Sequence, residues 1–353
     1  MFGSNRKRPL LGLDVTTSSV KLIELAETGR GYRVESFAAE PTPANAINDK
    51  AIVDAEAVGE AIRRAVKRSG SKTREAAVAI SGDAAITKVI QMPRNLSEAD
   101  LEGQVELQAD QYIPFPMEEV SFDFETIGES ERDPDMVDVL LVATRTENVE
   151  QRQAAVEAAG LSARVVDVEA FAVENACALL THQMPEGGIE KFIAIVDFGA
   201  STTTFSVLHN LKVIYTRDFA FGGQQLTEEI MRTYGLSLED AGRAKKEGGL
   251  PSNYQPEVLD AFMDDMSQQV SRSLQFFLAS GTGRDQPDQV LVCGGCANIP
   301  GVADVIGSRI GIATEIGDPL GQMKLSSRAK SYGVQKDATA LLTACGLALR
   351  SFD

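Results

Sequence analysis

The sequence predicts an α/β protein of two similar lobes facing each other across a cleft, and three observations point there. With 353 residues the chain is too long for one simple core, so two or more domains are expected. A pattern of apolar strand, aspartate, hydroxyl-rich turn and second strand occurs twice. It runs through Leu10-Leu-Gly-Leu-Asp-Val-Thr-Thr-Ser-Ser-Val-Lys-Leu-Ile-Glu-Leu25 and again through Phe192-Ile-Ala-Ile-Val-Asp-Phe-Gly-Ala-Ser-Thr-Thr-Thr-Phe-Ser-Val-Leu208. Aligning Asp14 with Asp197 also brings Ser18 onto Ser201. A further buried strand, Gln289-Val-Leu-Val-Cys293, passes through Gly294-Gly295 into a helix, a junction where backbone comes close to whatever lies above it.

The chemistry of the turns suits phosphate. Gly199 lets backbone N–H groups approach an anion, Ser201 to Thr204 add hydroxyls, and Asp197 can hold a magnesium ion through water. One such hairpin is also readable as an ordinary polar turn. Two of them, far apart in one chain, describe a nucleotide gripped from both sides of a cleft.

Composition narrows the partners. Lys and Arg total 34 against 51 Asp and Glu, a net charge of −17 that repels nucleic acid and anionic membranes. Arg6-Lys7-Arg8 is the one basic cluster and is expected to be a solvated tail. No signal peptide and no run near ~20 apolar residues is present, so a cytoplasmic protein without membrane insertion is expected. Cys177, Cys293, Cys296 and Cys345 are too scattered for a disulfide framework, and Cys293-Gly-Gly-Cys296 lacks a second pair for zinc; free thiols are expected.

Element by element, Asp54 caps a helix carrying Val58, Ile62, Ala65 and Val66 and closed by Gly70. Strands over 76–81 and 86–90 follow, then an acidic helix begun by Ser97, with Leu101, Val105, Gln108 and Tyr112 on one side, stopped by Ile113-Pro-Phe-Pro116. Strands over 120–127 and 137–144, turned at Asp133-Pro134-Asp135, and a helix over 147–159 complete an α+β unit inserted into the first lobe. Ile113-Pro-Phe-Pro116 with Tyr112 is expected to cover that unit's own core; the alternative is an exposed peptide groove. A strand over 163–168 leads to a small-residue helix over 170–180. After the second hairpin come a strand through Ile214, a helix from Gly222-Gly223 to Tyr234, a helix begun by Ser237, and a long helix over 257–280. That last helix aligns Val258, Phe262, Met266, Val270, Leu274 and Phe277 as core. A helix with Pro300 in its first turn and a small-residue helix over 337–351 finish the chain.

In this order the stretches resemble the actin-like ATPase superfamily, a duplicated ribonuclease H-like fold: two phosphate hairpins, a Gly-Gly adenosine loop and two connecting helices at a hinge. The inserted unit resembles the subdomain of the cell-division actin FtsA. Closer still is the resemblance to the PilM family of type IV pilus assembly, through Gly12-Leu-Asp-Val15 with Ser19-Val-Lys-Leu-Ile-Glu-Leu25, Gln111-Tyr-Ile-Pro-Phe-Pro116, Val166-Asp-Val-Glu-Ala-Phe-Ala172 and Asp197-Phe-Gly-Ala-Ser201. It spans essentially the whole chain. It implies subdomain IA over 1–83, 164–190 and 338–353, an inserted subdomain IC over 84–163, IIA over 191–221 and 286–337, and IIB over 222–285.

The resemblance further implies ATP with Mg2+ as ligand. Asp14 and Asp197 would organise the metal through water; Thr16, Thr17, Ser18 and Ser19, with Gly199, Ala200, Ser201 and Thr202, would cradle phosphates; Lys21 would meet the β-phosphate. Lys245, Gly294, Gly295 and Cys296 would border the nucleoside. Glu169 stands where related ATPases position the attacking water, and equally where a helix N-terminal acid meets the macrodipole. Two departures bear on this. Thr16 replaces a usual glycine, at ~1–2 kcal/mol if the site is left-handed, and Gly242 replaces a ribose-contacting glutamate. Binding with at most weak ATPase activity is therefore expected.

As function the resemblance implies a cytoplasmic ATP-binding scaffold for pilus assembly and twitching motility. It would bind the cytoplasmic N-terminal peptide of PilN in a groove between the first domain and the inserted unit, and so reach the inner membrane. Contact with pilus motor ATPases and homo-oligomerisation are compatible with it. The sequence stops at Phe352-Asp353, where FtsA-like proteins continue into a membrane helix, so the tether is expected from the partner. The alternatives are a filament-forming or cell-division actin-like ATPase, and a small-molecule kinase of the same superfamily, for which no catalytic base stands out.

Overall fold

The computed structural model describes residues 9–29, 31–48, 50–130, 133–282 and 286–353; the basic cluster Arg6-Lys7-Arg8 lies outside the described residues. Lobe one begins with β1 (Leu11–Val15), β2 (Ser19–Thr28), β3 (Gly31–Pro41), the short pair β4 (Ile47–Asn48) and β5 (Ala51–Ile52), α1 (Ala55–Ser69) and β6 (Glu75–Ile80). Central β1 is buried along its whole length, antiparallel to β2 and parallel to β6. The Asp54 side chain accepts the Ala57 N–H to start α1, and left-handed Gly70 ends it.

The inserted unit follows as β7 (Ala85–Pro93), α2 (Glu98–Ala109), β8 (Val120–Glu129) and β9 (Met136–Arg145), a sheet ordered β7-β9-β8 with Met92, Val105, Val139 and Leu141 at its core. Ile113 is buried in that core with Phe115 beside it, so the proline segment does cover its own unit, while Tyr112 lies beyond α2 and is exposed. Helix α3 (Thr146–Ala158), within the stretch expected for this unit, packs in the core of lobe one. Gly59 of α1 permits the contact, because a Cβ there would lie 2.8 Å from the Ala155 carbonyl oxygen. Then come β10 (Ser162–Val168), parallel to β6, and α4 (Glu169–Cys177).

Lobe two comprises β11 (Phe192–Phe198), β12 (Thr203–His209), β13 (Lys212–Phe219), α5 (Gly223–Tyr234), α6 (Leu238–Glu247), α7 (Asp260–Ala279), β14 (Gln289–Gly294), α8 (Val302–Ile310) and β15 (Ala313–Ile316). Its sheet, β13-β12-β11-β14-β15, repeats the order and strand directions of β3-β2-β1-β6-β10, so the duplication seen in the hairpins extends over five strands. The helix expected over 257–280 starts as a π turn over Gln255–Leu259 and becomes α-helical at Asp260. Pro300 precedes α8 instead of entering its first turn, because left-handed Gly301 is the cap.

The chain closes with β16 (Lys324–Leu325) beside β3, α9 (Ser327–Ser331) and α10 (Leu342–Leu349). The single helix expected over 337–351 is instead α10 flanked by 3-10 turns. Small residues bring α10 into backbone contact on two sides: a Cβ at Gly346 would lie 1.7 Å from the Ala172 oxygen of α4, and one at Gly12 would lie 2.0 Å from the Ala344 oxygen. Among the described residues no helix is long and apolar enough to cross a membrane.

Candidate functional site

The two acidic turns face each other and touch. Thr17 Oγ1 and Ser201 Oγ lie 2.9 Å apart, joining the β1–β2 turn to the β11–β12 turn. Each turn closes with the same backbone hydrogen bond, Thr16 N–H to Ser19 C=O at 3.0 Å and Gly199 N–H to Thr202 C=O at 3.1 Å, so Thr16 is the counterpart of Gly199. Thr16 is not left-handed, and the strain expected of it does not arise. Its Oγ1 instead donates to the Ser19 C=O at 3.0 Å and accepts the Ser19 N–H at 3.2 Å. Gly199 is required for space, since a Cβ would lie 2.7 Å from the Thr202 oxygen. The Gly199 and Ala200 carbonyls accept the N–H groups of Gly223 and Gln224 at 3.0 and 2.8 Å, so the start of α5 holds this turn.

Behind the turns, Lys21 Nζ donates to Asp14 Oδ2 at 2.6 Å. Burial opposes the charge on Lys21, but Asp14, then Asp197 and Asp337, outweigh it and hold the ammonium above its ordinary pKa. Burial pushes the Asp197 carboxyl up to about 6, with Lys21 opposing and Asp14 and Glu169 adding to the rise. A carboxylate held this unfavourably gains from a nearby divalent cation. Among the described residues no group of three or more His, Cys, Asp or Glu converges as a metal cage; the carboxylates of Asp14 and Asp197 are the donor type a hard cation such as magnesium takes.

At the glycine pair where β14 ends, left-handed Gly294 (φ 86) backs onto Asp197, where a Cβ would lie 2.4 Å from Oδ1 and 2.3 Å from the Phe198 oxygen. At Gly295 a Cβ would meet nothing within 4 Å. The close approach expected of the glycine pair is thus made by Gly294, and to the protein itself. Lys245 does not stand free: its Nζ donates to the Gly223 C=O at 2.7 Å and to Thr227 Oγ1 at 2.6 Å, tying α6 to α5. Buried Cys296 lies beside them, its Sγ 3.8 Å from the Gly199 oxygen.

Glu169 opens α4 and pairs with Lys50 Nζ at 2.9 Å; the same ammonium pairs with Asp218 of β13. Burial raises the Glu169 pKa and the Lys50 charge opposes that rise. Close by, where the inserted unit leaves lobe one, lies a cavity of about 120 Å³ lined by Lys50, Ile52, Ile80, Ser81, Gln151 and Arg152. Arg152 is 4% exposed; Nη2 donates to the Lys50 C=O at 2.7 Å, while Nη1 and the Ser81 Oγ have no hydrogen-bond partner.

The family profile of the type IV pilus assembly protein PilM matches residues 12–352. The chain belongs to this family. Its structure is similar to a chain of a solved PilM-PilN type IV pilus biogenesis complex, with TM-score 0.79 and 25% identity, covering 98% of this chain and 99% of that one. The ethanolamine utilization protein EutJ of Carboxydothermus hydrogenoformans is similar in fold, with TM-score 0.56 and 18% identity over 96% of this chain and 89% of EutJ. The cell division protein FtsA of Agrobacterium fabrum (strain C58) is 26% identical over 231 residues, 53% of this chain and 51% of FtsA; the match thus spans about half the length of that relative. The fold is actin-like.

In this PilM-family chain, then, Asp14, Thr16, Thr17, Ser18, Ser19 and Lys21 share one turn region, which faces Asp197 and the Gly199–Thr202 turn. Lys245, Gly294 and Cys296 gather behind the second turn. Sequence reasoning did not single out Lys50, Ser81, Arg152, Asp218 or Asp337. One signal was readable: Arg152 shares the buried face of α3 with Ala155 and Val156, a helical spacing at which a guanidinium is out of place.

Proposed function

We propose that this chain is an ATP-binding scaffold of the type IV pilus assembly machinery. The observation that carries the proposal is the meeting of the two acidic turns, with Asp14, Lys21 and Asp197 grouped behind them. Asp14 and Asp197 would hold magnesium through water; hydroxyls and amides of Thr17 to Ser19 and of Gly199 to Thr202 would take phosphate oxygens, with Lys21 as counter-charge. The metal would supply charge neutralisation for a polyphosphate. Because Thr17 and Ser201 bond each other, only one of the two hydroxyls can donate to phosphate until these side chains part. Glu169, neutralised by Lys50, is poorly placed to activate water, so at most slow turnover is expected.

The partner is the N-terminal cytoplasmic peptide of PilN, docked at the cavity of lobe one beside the start of the inserted unit. Arg152 Nη1 and Ser81 Oγ would receive an oxygen of the peptide, and Ile52 and Ile80 an apolar side chain. Similarity to the chain of the PilM-PilN complex supports this reading. Recruitment to the cytoplasmic face of the inner membrane then follows from the partner. The test combines two titrations. At a thousandfold excess over its Kd, Mg-ATP should stabilise the protein by about 4 kcal/mol, and Asp197→Ala should lose that thermal shift; an unchanged shift removes Asp197 from the site. Ser81→Ala and Arg152→Gln should weaken PilN peptide binding at least about tenfold by calorimetry, and wild-type affinity in both moves the peptide elsewhere.

A further inference from the structure

The cleft and the cavity share one residue. Lys50 lies in the turn between β4 and β5 at φ 64, a left-handed conformation that a lysine keeps only where its surroundings hold it. One such hold is the hydrogen bond from Arg152 Nη2 to its carbonyl, at 2.7 Å in the cavity wall. The side chain runs the other way, to Glu169 of lobe one and Asp218 of lobe two. Asp218 is itself fixed by Thr204 Oγ1 at 2.6 Å, and Thr204 is the register partner of Asp197. A chain of direct contacts therefore leads from Arg152 to the acidic turn of lobe two.

We infer that Lys50 is an interlobe latch: its ammonium holds Glu169 and Asp218 together across the lobes, and its backbone relays changes at Arg152 to the cleft. The charge arrangement explains why a cation is needed. Glu169 and Asp218 are partly buried, with side chains 24% and 10% exposed, and without Lys50 they would present like charges to each other across the two lobes. The three groups are only partly exposed, so salt screens the bridge weakly. The latch itself needs no ligand; its use as a signal from an occupied cavity rests on the peptide reading above.

The test uses the full chain without nucleotide or peptide, so it is independent of whether either binds. Nitroxide labels at the exposed positions Lys67→Cys and Glu239→Cys, one per lobe, report interlobe distance by pulsed electron resonance; the four native cysteines are buried. Lys50→Met is expected to lengthen and broaden the distribution, and Lys50→Arg, which keeps the charge, to restore it. Asp218→Asn provides the same readout should Lys50→Met fail to fold. Wild-type distributions in these two variants overturn the latch. Arg152→Gln should shift the distribution in the same direction as Lys50→Met, and the double variant no further than Lys50→Met alone. Additive shifts, or none from Arg152→Gln, overturn the relay.

Discussion

The two acidic turns reach the same backbone shape by different means. The β1–β2 turn is stiffened by the Thr16 hydroxyl, bonded to both the N–H and the C=O of Ser19, and by Thr42, whose Oγ1 donates to the Thr16 C=O at 2.7 Å and whose N–H donates to the Ser18 C=O at 3.2 Å. The β11–β12 turn has a glycine at the equivalent position and takes its shape from its neighbours: the first amides of α5 hold its carbonyls, and Gly294 supports Asp197 from below. The turn of lobe one is thus held by its own hydroxyl and by Thr42 just past β3, within the same sheet, whereas the turn of lobe two is coupled to α5, α6 and β14. Any shift of α5 or α6 is felt at the second turn, where the proposed phosphate contacts lie.

The sharpest way to break this comparison is to remove the support each turn relies on. At Gly294 a Cβ would lie within 2.4 Å of both Asp197 Oδ1 and the Phe198 oxygen, on a left-handed backbone. Gly294→Ala should destabilise by about 3 kcal/mol or more in urea denaturation. Gly199→Ala, with one contact at 2.7 Å, should lose about 1–3 kcal/mol. Thr16→Gly forfeits only its hydroxyl bonds and some backbone entropy, roughly 1–2 kcal/mol. If Thr16→Gly proves the most damaging of the three, the assignment of internal and external support is reversed.

The electrostatics give a second test, of somewhat smaller size. Asp197 is raised to about 6 in the folded protein, above its model-peptide value of 3.8. A folded pKa above the unfolded one means that the native state binds the proton more tightly, so stability falls as pH rises from about 4 to about 6 and stays lower above that. By linkage the difference is worth about 3 kcal/mol at most near pH 7, to order of magnitude. Asp197→Asn should therefore stabilise the ligand-free protein at pH 7.5, with the gain shrinking towards pH 4, while abolishing stabilisation by Mg-ATP. A variant that gains nothing at pH 7.5 would show that Lys21 already compensates the carboxylate.

What was legible in the sequence follows from whether a feature is local. The paired hairpins, Gly294-Gly295 and the helix faces carry short-range patterns, and from them the duplicated α/β architecture and the facing turns could be read. Strand β3 escaped because its buried position 36 is a serine, satisfied by Glu24 Oε2 at 2.8 Å, which breaks the apolar alternation. The Lys50 bridge escaped because its partners lie 119 and 168 residues away and carry no motif. Thr16 was misjudged for a related reason: a hydroxyl can close a turn as well as a left-handed glycine can, and only the backbone angles decide which one a given site uses.

The smallest expected effect tests the contact between the turns themselves. Thr17→Val and Ser201→Ala each remove one end of the 2.9 Å hydroxyl bond, which is partly buried and joins the two lobes. A double-mutant cycle in the absence of nucleotide should give a coupling of about 0.5–1 kcal/mol. If each hydroxyl turns to a phosphate oxygen when Mg-ATP is present, the same cycle should fall towards zero, although each single variant then weakens nucleotide binding. A coupling that keeps its size in saturating Mg-ATP would mean that the two hydroxyls never part, and the tips would then be a structural clasp between lobes with the polyphosphate held elsewhere.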